Sequence, residues 1–181
     1  MVPIGGGERF NPIEKIQEKY TLVREWVKEA LGDPKFRISS FRLMKVTMTK
    51  LSEKRAPSFF SDFLVFVEGE RSRGKERQVE YLMMDHDRFF YPMKYDPRTH
   101  KYELSLIGED RSGNKAFMLR AESEGEKQEM TRRGMTIPGF DLPMAGEYCE
   151  FQVGPYHVRM ADVDIEKFPV EKLRELLELQ E

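Results

Sequence analysis

The sequence predicts an α+β fold, with a mostly antiparallel sheet of about eight strands that is curved or split into two layers. Two observations favour this class. The segment from Pro57 to Ile107 has the pattern of successive strands joined by polar turns, and amphipathic helices are predicted near both ends of the chain. Because strands and helices form separate runs along the chain, we expect the terminal helices to pack on one antiparallel sheet.

The first helix is predicted from Pro12 to Leu31. Asn11 is a suitable N-cap, Pro12 occupies the first helical position, and Gly32 ends the helix. The apolar residues recur in steps of three and four, which is the period of an amphipathic helix: Ile13, Ile16, Tyr20, Val23, Val27, Ala30 and Leu31. Residues 1–10 are expected to form a flexible lead, and residues 11–181 a single domain.

A long strand is predicted from Phe36 to Lys50. Its apolar residues change face near Ser39 and Ser40, which indicates a β-bulge at that point. Residues 51–58 have the composition of a charged connector. Residues 63–67 are apolar at every position, and such a run predicts a central strand that is buried on both faces.

Three further strands are predicted at residues 76–84, 89–95 and 102–106, where apolar and polar residues alternate. Pro92 has no N–H group, so its strand is expected to be an edge strand or to be bulged there. Asp96 and Pro97 are typical of a type I turn.

The rest of the chain predicts a strand at residues 117–121 and a short polar helix at 123–133. Residues 135–146 are expected to be irregular, because they contain Pro138, Gly139 and Pro143. A hairpin at residues 148–163 follows, broken at Gly154, and a closing helix is predicted from Ile165 to Glu181.

Composition sets limits on the class of protein. The chain has 181 residues, 39% of them hydrophobic and 34% charged, which is typical of one globular domain. No apolar run approaches the roughly 20 residues that a membrane-spanning helix needs. The single cysteine, Cys149, excludes an intramolecular disulfide, so we expect an intracellular and cytoplasmic location, with the nucleus left open. The abundance of methionine and phenylalanine resembles that of small viral proteins.

Charge is distributed unevenly, although the net charge is only −2. Residues 35–55 contain seven Lys and Arg against one Glu, and residues 141–181 contain ten acidic residues against four basic ones. A chain of this net charge has no overall nucleic-acid signature, but its basic segment and a basic hairpin turn predict a local phosphate-binding surface. The candidate residues for the backbone of RNA or DNA are Arg37, Arg42, Lys45, Arg71, Arg73, Lys75 and Arg77.

A second candidate surface is the apolar segment between residues 135 and 144. An apolar stretch without regular structure either folds back over the core or meets a partner, and methionine suits adaptable interfaces. The candidate partner-binding residues are Met135, Ile137, Phe140, Leu142 and Met144.

The third candidate is a carboxylate–histidine cluster at Asp85, His86 and Asp87. One imidazole and two carboxylates could provide acid–base chemistry, although the sequence places no further metal ligands beside them, and a polar turn is the alternative. In that case a pocket in the curved sheet would be lined by the aromatic rings at positions 66, 81, 91 and 102. Cys149 lies in a strand and is interpreted as a structural residue.

The leading hypothesis from sequence is a non-enzymatic binding or assembly protein. It would contact a protein partner or a second copy of itself through the apolar segment and its charged faces, with a nucleic-acid backbone as a further ligand. The alternative is a small-ligand-binding protein or enzyme with Asp85, His86 and Asp87 at the rim of its pocket. No metal and no cofactor are predicted.

Overall fold

The computed structural model describes residues 12–52, 55–118, 123–133, 135–154 and 156–177. The predicted flexible lead at residues 1–10 and the predicted cap at Asn11 lie outside these ranges. Within them the chain forms three helices and ten strands, in the order α1 (Pro12–Leu31), β1 (Arg37–Ser52), β2 (Arg55–Arg73), β3 (Glu76–Met84), β4 (Phe90–Asp96), β5 (Lys101–Ser105), β6 (Ile107–Glu109), β7 (Lys115–Phe117), α2 (Glu124–Arg133), β8 (Thr136–Phe140), β9 (Tyr148–Val153), β10 (Tyr156–Val163) and α3 (Val170–Leu176).

The strands form one open antiparallel sheet in the order β7-β6-β4-β3-β2-β1-β10-β9. β5 and β6 follow each other along the chain and both pair with β4, while β8 pairs with β5 and β7 pairs with β6. The predicted mostly antiparallel α+β class is therefore confirmed, with a larger sheet than the eight strands expected.

The long strands β1 and β2 are the centre of the sheet. Their register shifts between Ile38 and Ser40, so the bulge predicted there is confirmed. The charged connector predicted at residues 51–58 is wrong for the described part of that segment, because Ser52 pairs with Arg55 and extends the ladder. Pairing with a neighbouring strand satisfies the backbone of polar residues as well as that of apolar ones.

Residues 64–67 of β2 are buried on both faces of the sheet, as the unbroken apolar run at residues 63–67 predicts. Leu64 and Phe66 belong to one cluster of buried side chains, and Val65 and Val67 belong to another on the opposite face. The two clusters follow from the alternation of side chains along a strand.

The cluster that contains Val65 and Val67, which we call the helix-side cluster, joins the sheet to α1 and α3. Trp26 and Val27 of α1 are completely buried, and Leu173 of α3 packs in the same cluster. Lys19 is also buried, with 6% of its surface exposed, and its ammonium group donates hydrogen bonds of 3.0 and 2.9 Å to the carbonyl oxygens of Ile165 and Glu166. This contact joins α1 to the segment that precedes α3.

The opposite cluster, the methionine-rich cluster, contains seven buried methionines: Met44, Met48, Met83, Met93, Met118, Met130 and Met160. It includes side chains from β1, β2, β3, β4, β5, β8 and β10, and α2 contributes Met130. Thioethers are flexible enough to fill the irregular space between so many strands.

Three further predicted elements differ from the structure. The strand predicted at residues 117–121 is found as β7 at Lys115–Phe117, while residues 119–121 lie outside the described ranges. The segment predicted as irregular contains β8, and exposed Pro138 and Gly139 lie where the register of β8 with β5 shifts, a position that tolerates both residue types. The closing helix begins at Val170 instead of Ile165, because Pro169 is extended with a φ of −60° and a ψ of 137°.

Pro92 does not lie in an edge strand, since β4 pairs with β3 on one side and with β5 and β6 on the other. Pro92 lies between Phe90, which pairs with β6, and Met93, which pairs with β5. The irregularity predicted at Pro92 is therefore found in the strands that pair with β4, where β6 gives way to β5. In the described ranges no helix has the length and hydrophobicity that crossing a membrane requires.

Candidate functional site

A groove at one end of the sheet is lined by cations. Its volume is about 470 Å³, and it lies between the C-terminal half of α1, the start of β1 and the first residues of β3. The described residues that line it include five basic side chains and no carboxylate: Arg24, Lys28, Pro34, Lys35, Phe36, Arg37, Ile38 and Arg77. We call it the basic groove.

Local structure explains why the basic side chains converge there. Arg24 and Lys28 are four residues apart on α1, so they project from the same face of the helix. Lys35 and Arg37 flank Phe36 where the chain leaves the turn after α1 and enters β1. Arg77 reaches the groove from β3, because β2 and β3 form a long hairpin beside the start of β1.

Few carboxylates neutralise these cations. The Nη1 atom of Arg77 lies 4.0 Å from the Oε2 atom of Glu70, which is the outer limit of an ion pair. Among the described residues, no side-chain nitrogen of the other four cations lies within that distance of a carboxylate, although the Asp33 carboxylate accepts a hydrogen bond of 3.0 Å from the backbone N–H of Lys35. The groove therefore concentrates positive charge of the kind that attracts an anion.

The structure divides the seven predicted nucleic-acid residues into different environments. Arg37 and Arg77 line the basic groove. The nearest side-chain nitrogens of Arg71 and Arg73 lie 3.1 and 3.5 Å from the carboxylate of Glu80, so their charge is partly neutralised.

The other three lie apart from each other. Lys75 is exposed in the turn between β2 and β3. Arg42 donates a hydrogen bond of 3.0 Å to the Oδ1 atom of Asp162 and another to a backbone carbonyl, so it has a structural role. The ammonium group of Lys45 lies 5.7 Å from the centre of the Phe63 ring.

Sequence reasoning missed three residues of the basic groove. Arg24 and Lys28 alternate with Glu25 and Glu29 along the helix, so local charge counts give no signal there. Lys35 lies in the basic segment at residues 35–55 but is not among the seven candidate nucleic-acid-binding residues. The i,i+4 spacing of Arg24 and Lys28 was the one available signal, and it becomes meaningful only when β1 and β3 lie beside the helix.

A larger groove of about 980 Å³ lies next to the basic groove. The β3–β4 ladder ends at Tyr81 and Met93. Beyond this point β3 stays paired with β2 while β4 pairs with β5, so β3 and β4 diverge and the groove lies between them. We call it the fork groove. Arg71 lines it, and the guanidinium of Arg71 lies 5.8 Å from the centre of the Phe36 ring, which lines the basic groove. Arg71 and Phe36 thus form a wall between the two grooves.

The predicted partner-binding residues lie mostly in the methionine-rich cluster. Ile137 and Phe140 are 2% and 4% exposed, and Met135 and Leu142 are partly buried against the same cluster. Met144 is 69% exposed. Of the two alternatives considered for this segment, the structure shows it folded over the core.

The carboxylate–histidine cluster gains one member that the sequence did not connect to it. The Nδ1 atom of His86 lies 2.9 Å from the Oδ2 atom of Asp62, and its Nε2 atom lies 3.5 Å from Asp87. Asp85 instead accepts a hydrogen bond of 2.9 Å from the hydroxyl of Tyr91. No group of three or more potential metal ligands in the described ranges is arranged to hold a metal ion.

The charges around His86 and Asp85 shift their pKa values. Burial opposes the charged imidazole, but the carboxylates of Asp62 and Asp87 outweigh it and raise the pKa of His86 above its usual value. Burial also raises the pKa of Asp85, against the opposing effect of hydrogen bonds that include the one from Tyr91. The surroundings therefore favour the protonated forms of both groups relative to their exposed counterparts.

The aromatic rings predicted to line a pocket pack against each other. Phe66 is stacked on Tyr81 at 6.4 Å and meets Tyr102 edge-to-face at 5.9 Å, and both Phe66 and Tyr91 are 2% exposed. Phe66 and Tyr91 are thus part of the core. Tyr81 also contributes to the fork groove.

Comparisons with protein-family models, with curated protein sequences and with solved structures find no match to this chain.

Proposed function

We propose that the protein is a non-enzymatic binding protein that holds the phosphate backbone of a nucleic acid in the basic groove. The observation that carries the proposal is the presence of five cations in one groove, four of which make no side-chain ion pair with a carboxylate within 4.0 Å among the described residues. Such a ligand suits the intracellular location that the single cysteine predicts.

The basic groove brings cations together without a carboxylate among the described residues that line it. Cations that share one groove repel each other, and a nearby carboxylate would relieve the repulsion. The chain has 32 acidic residues to 30 basic ones, so acids are plentiful, yet none lines this groove. A bound polyanion would supply the missing counter-charge and would release its own condensed counterions on binding.

Phosphodiesters fit the groove better than a single small anion. The cations are spread over α1, β1 and β3 instead of converging on one buried point, and Arg37 is exposed. Exposed Lys75 lies at the tip of the β2–β3 hairpin and could extend the path of the backbone beyond the groove. Cations that come from several elements can contact successive phosphates.

Salt dependence of binding tests the proposal. We expect a fluorescein-labelled single-stranded oligonucleotide of about twelve nucleotides to bind at low salt, as measured by fluorescence anisotropy. For single strands the slope of log K against log salt is about −0.7 per phosphate neutralised, so five cations predict a slope near −3.5.

A matched pair of double variants makes the test specific to the groove. Lys28→Gln with Arg37→Gln should reduce the magnitude of the slope by about 1.4, because two phosphate contacts are lost. Arg98→Gln with Lys127→Gln removes the same charge from exposed positions elsewhere and should leave the slope unchanged. Equal effects of the two pairs would show that only net charge matters and would contradict the proposal.

A second candidate function is self-association at the β9 end of the sheet. β9 is the last strand in the sheet order; its first residue, Tyr148, is 53% exposed, and Met144, which precedes it, is 69% exposed. A terminal strand with exposed apolar side chains can pair with another copy. Light scattering should then give a dimer that the Tyr148→Lys substitution dissociates, whereas a monomer at all concentrations would exclude this association.

A further inference from the structure

We infer that the nucleic acid is single-stranded and that one of its bases binds in the fork groove while its phosphates lie in the basic groove. This inference rests on the proposed function and adds the form of the ligand. Two observations support it: the fork groove is lined by rings and apolar side chains, and it shares a wall with the basic groove.

The fork groove exists because two ladders diverge. β3 and β4 pair from Met84 and Phe90 as far as Tyr81 and Met93, and no further. Beyond Tyr81, β3 is hydrogen-bonded to β2, while β4 beyond Met93 is hydrogen-bonded to β5. The space between the two hairpins is thus built from strands and not from a mobile loop, so the groove is formed before any ligand arrives.

The lining of the fork groove suits a flat, partly apolar ring. Tyr81 and Tyr95 contribute two partly exposed rings whose centres lie 5.8 Å apart, and partly exposed Phe90 and exposed Pro92 line the groove from the other face of β4. Val79 lies in β3, across the groove from β4, and is 49% exposed, which is unusual for a valine in this structure. Bases stack on such surfaces whatever their sequence, since every base has a π-face.

The acidic residues at the fork groove are neutralised or occupied. Glu80 lies 3.1 Å from Arg71, and Glu109 lies 3.6 Å from Lys115. Asp110 accepts hydrogen bonds from the backbone N–H groups of its own turn. Glu80 and Glu109 therefore add little repulsion toward a phosphate that follows the base into the groove, and the charge that Asp110 keeps is opposed by Lys94 and Arg111 in the same lining.

The shared wall connects base and phosphate recognition. Arg71 lines the fork groove and lies over the Phe36 ring, which lines the basic groove and otherwise packs in the helix-side cluster. A nucleotide in the fork groove would therefore have its backbone directed toward the cations. The bases of a duplex are paired and stacked, so only a single strand can place a base there without first being opened.

The test compares two ligands that have the same phosphates. One is a labelled oligothymidylate of about ten nucleotides, and the other is an abasic oligomer of the same length and charge. We expect the oligothymidylate to bind about tenfold more tightly in an anisotropy titration, because one stacked base contributes about that factor.

Two variants identify the groove. Tyr95→Leu should remove most of the tenfold preference without changing the affinity for the abasic oligomer. Tyr148→Leu, at the far end of the sheet, should change neither affinity. Thermal unfolding of both variants reports whether each remains folded.

Photo-crosslinking of the wild-type protein keeps the test decisive if Tyr95→Leu does not fold. An oligonucleotide containing 5-iodouracil should crosslink to peptides that contain Tyr81, Phe90 or Tyr95. Crosslinks confined to other peptides would overturn the inference.

The outcomes separate this inference from the proposed function. If both oligomers bind with equal affinity and a steep salt dependence, the inference is wrong and the backbone proposal stands. A duplex that binds more tightly than the single strand would also show that the inference is wrong, and it would leave the backbone proposal standing. If neither oligomer binds at low salt, both proposals are wrong.

Discussion

The ring of Phe36 occupies the space that a side chain at position 69 would need. A Cβ atom on Gly69 would lie 2.5 Å from the Cζ atom of Phe36 and 2.8 Å from the backbone oxygen of Arg37. Phe36 is 1% exposed and supports Arg71 on its other side. Glycine at position 69 thus allows the close approach that builds the wall between the basic groove and the fork groove.

The Gly69→Ala substitution should therefore destabilise the protein. The added methyl group must displace an aromatic ring or move the backbone of β1, and overpacking of this kind costs about 1–3 kcal/mol. Urea denaturation measures the loss. Gly125→Ala is the matched control, because the nearest atom to its new Cβ is the Oγ atom of Ser123 at 3.9 Å, and it should be neutral or slightly stabilising in α2.

Replacement of the buried ammonium group should also reduce stability. Lys19→Met keeps most of the side-chain volume but leaves the carbonyl oxygens of Ile165 and Glu166 without their donor. We expect the free energy of unfolding to fall by about 2–3 kcal/mol, since hydrogen bonds to charged groups are worth more than neutral ones. The same substitution at exposed Lys172 of α3 should change it little, and equal losses would show that Lys19 has no special role.

Sequence patterns predicted the local features of this fold well. The apolar run at residues 63–67 predicted a strand with two buried faces, and the phase change near Ser39 predicted the bulge, because both are set by neighbours along the chain. β8 was missed, since Pro138 and Gly139 are unfavourable inside a strand in general and are tolerated here only by the irregular register with β5.

The candidate site was predictable only in part. Arg37 and Arg77 were selected from basic stretches, and both line the basic groove. Arg24 and Lys28 were not, because the glutamates between them hide the charge that one helix face presents. Which cations are neutralised depends on pairing between distant strands, as for Arg42 with Asp162, and no local pattern contains that information.

Titration of His86 should reveal its two neighbouring carboxylates. Because the folded-state pKa lies above the usual value of 6.5, the contact with Asp62 should stabilise the fold at pH below that value and lose its effect as pH rises through the raised pKa. An NMR titration of the imidazole measures the pKa directly. Asp62→Asn should lower it, and a pKa that does not respond to this substitution would contradict the pairing.

The thiol of Cys149 should be unreactive in the folded protein. Burial is the main cause that raises its pKa from 9.0 to about 11, with a further contribution from Asp141. Two units of pKa lower the thiolate fraction at pH 8 about a hundredfold, so alkylation by iodoacetamide should be slower by about that factor than for an unperturbed thiol. Urea should restore the ordinary rate. Rapid labelling of the native protein would show that the thiol is not protected.

The most direct test of the basic groove is an NMR titration of the labelled protein with a short single-stranded oligonucleotide at low salt. The account predicts that the largest shifts of the backbone amides follow the groove, at the positions of Arg24, Lys28, Lys35, Arg37 and Arg77, and that they disappear at high salt. Shifts that are absent there, or that are concentrated on the opposite end of the sheet around β9, would contradict it.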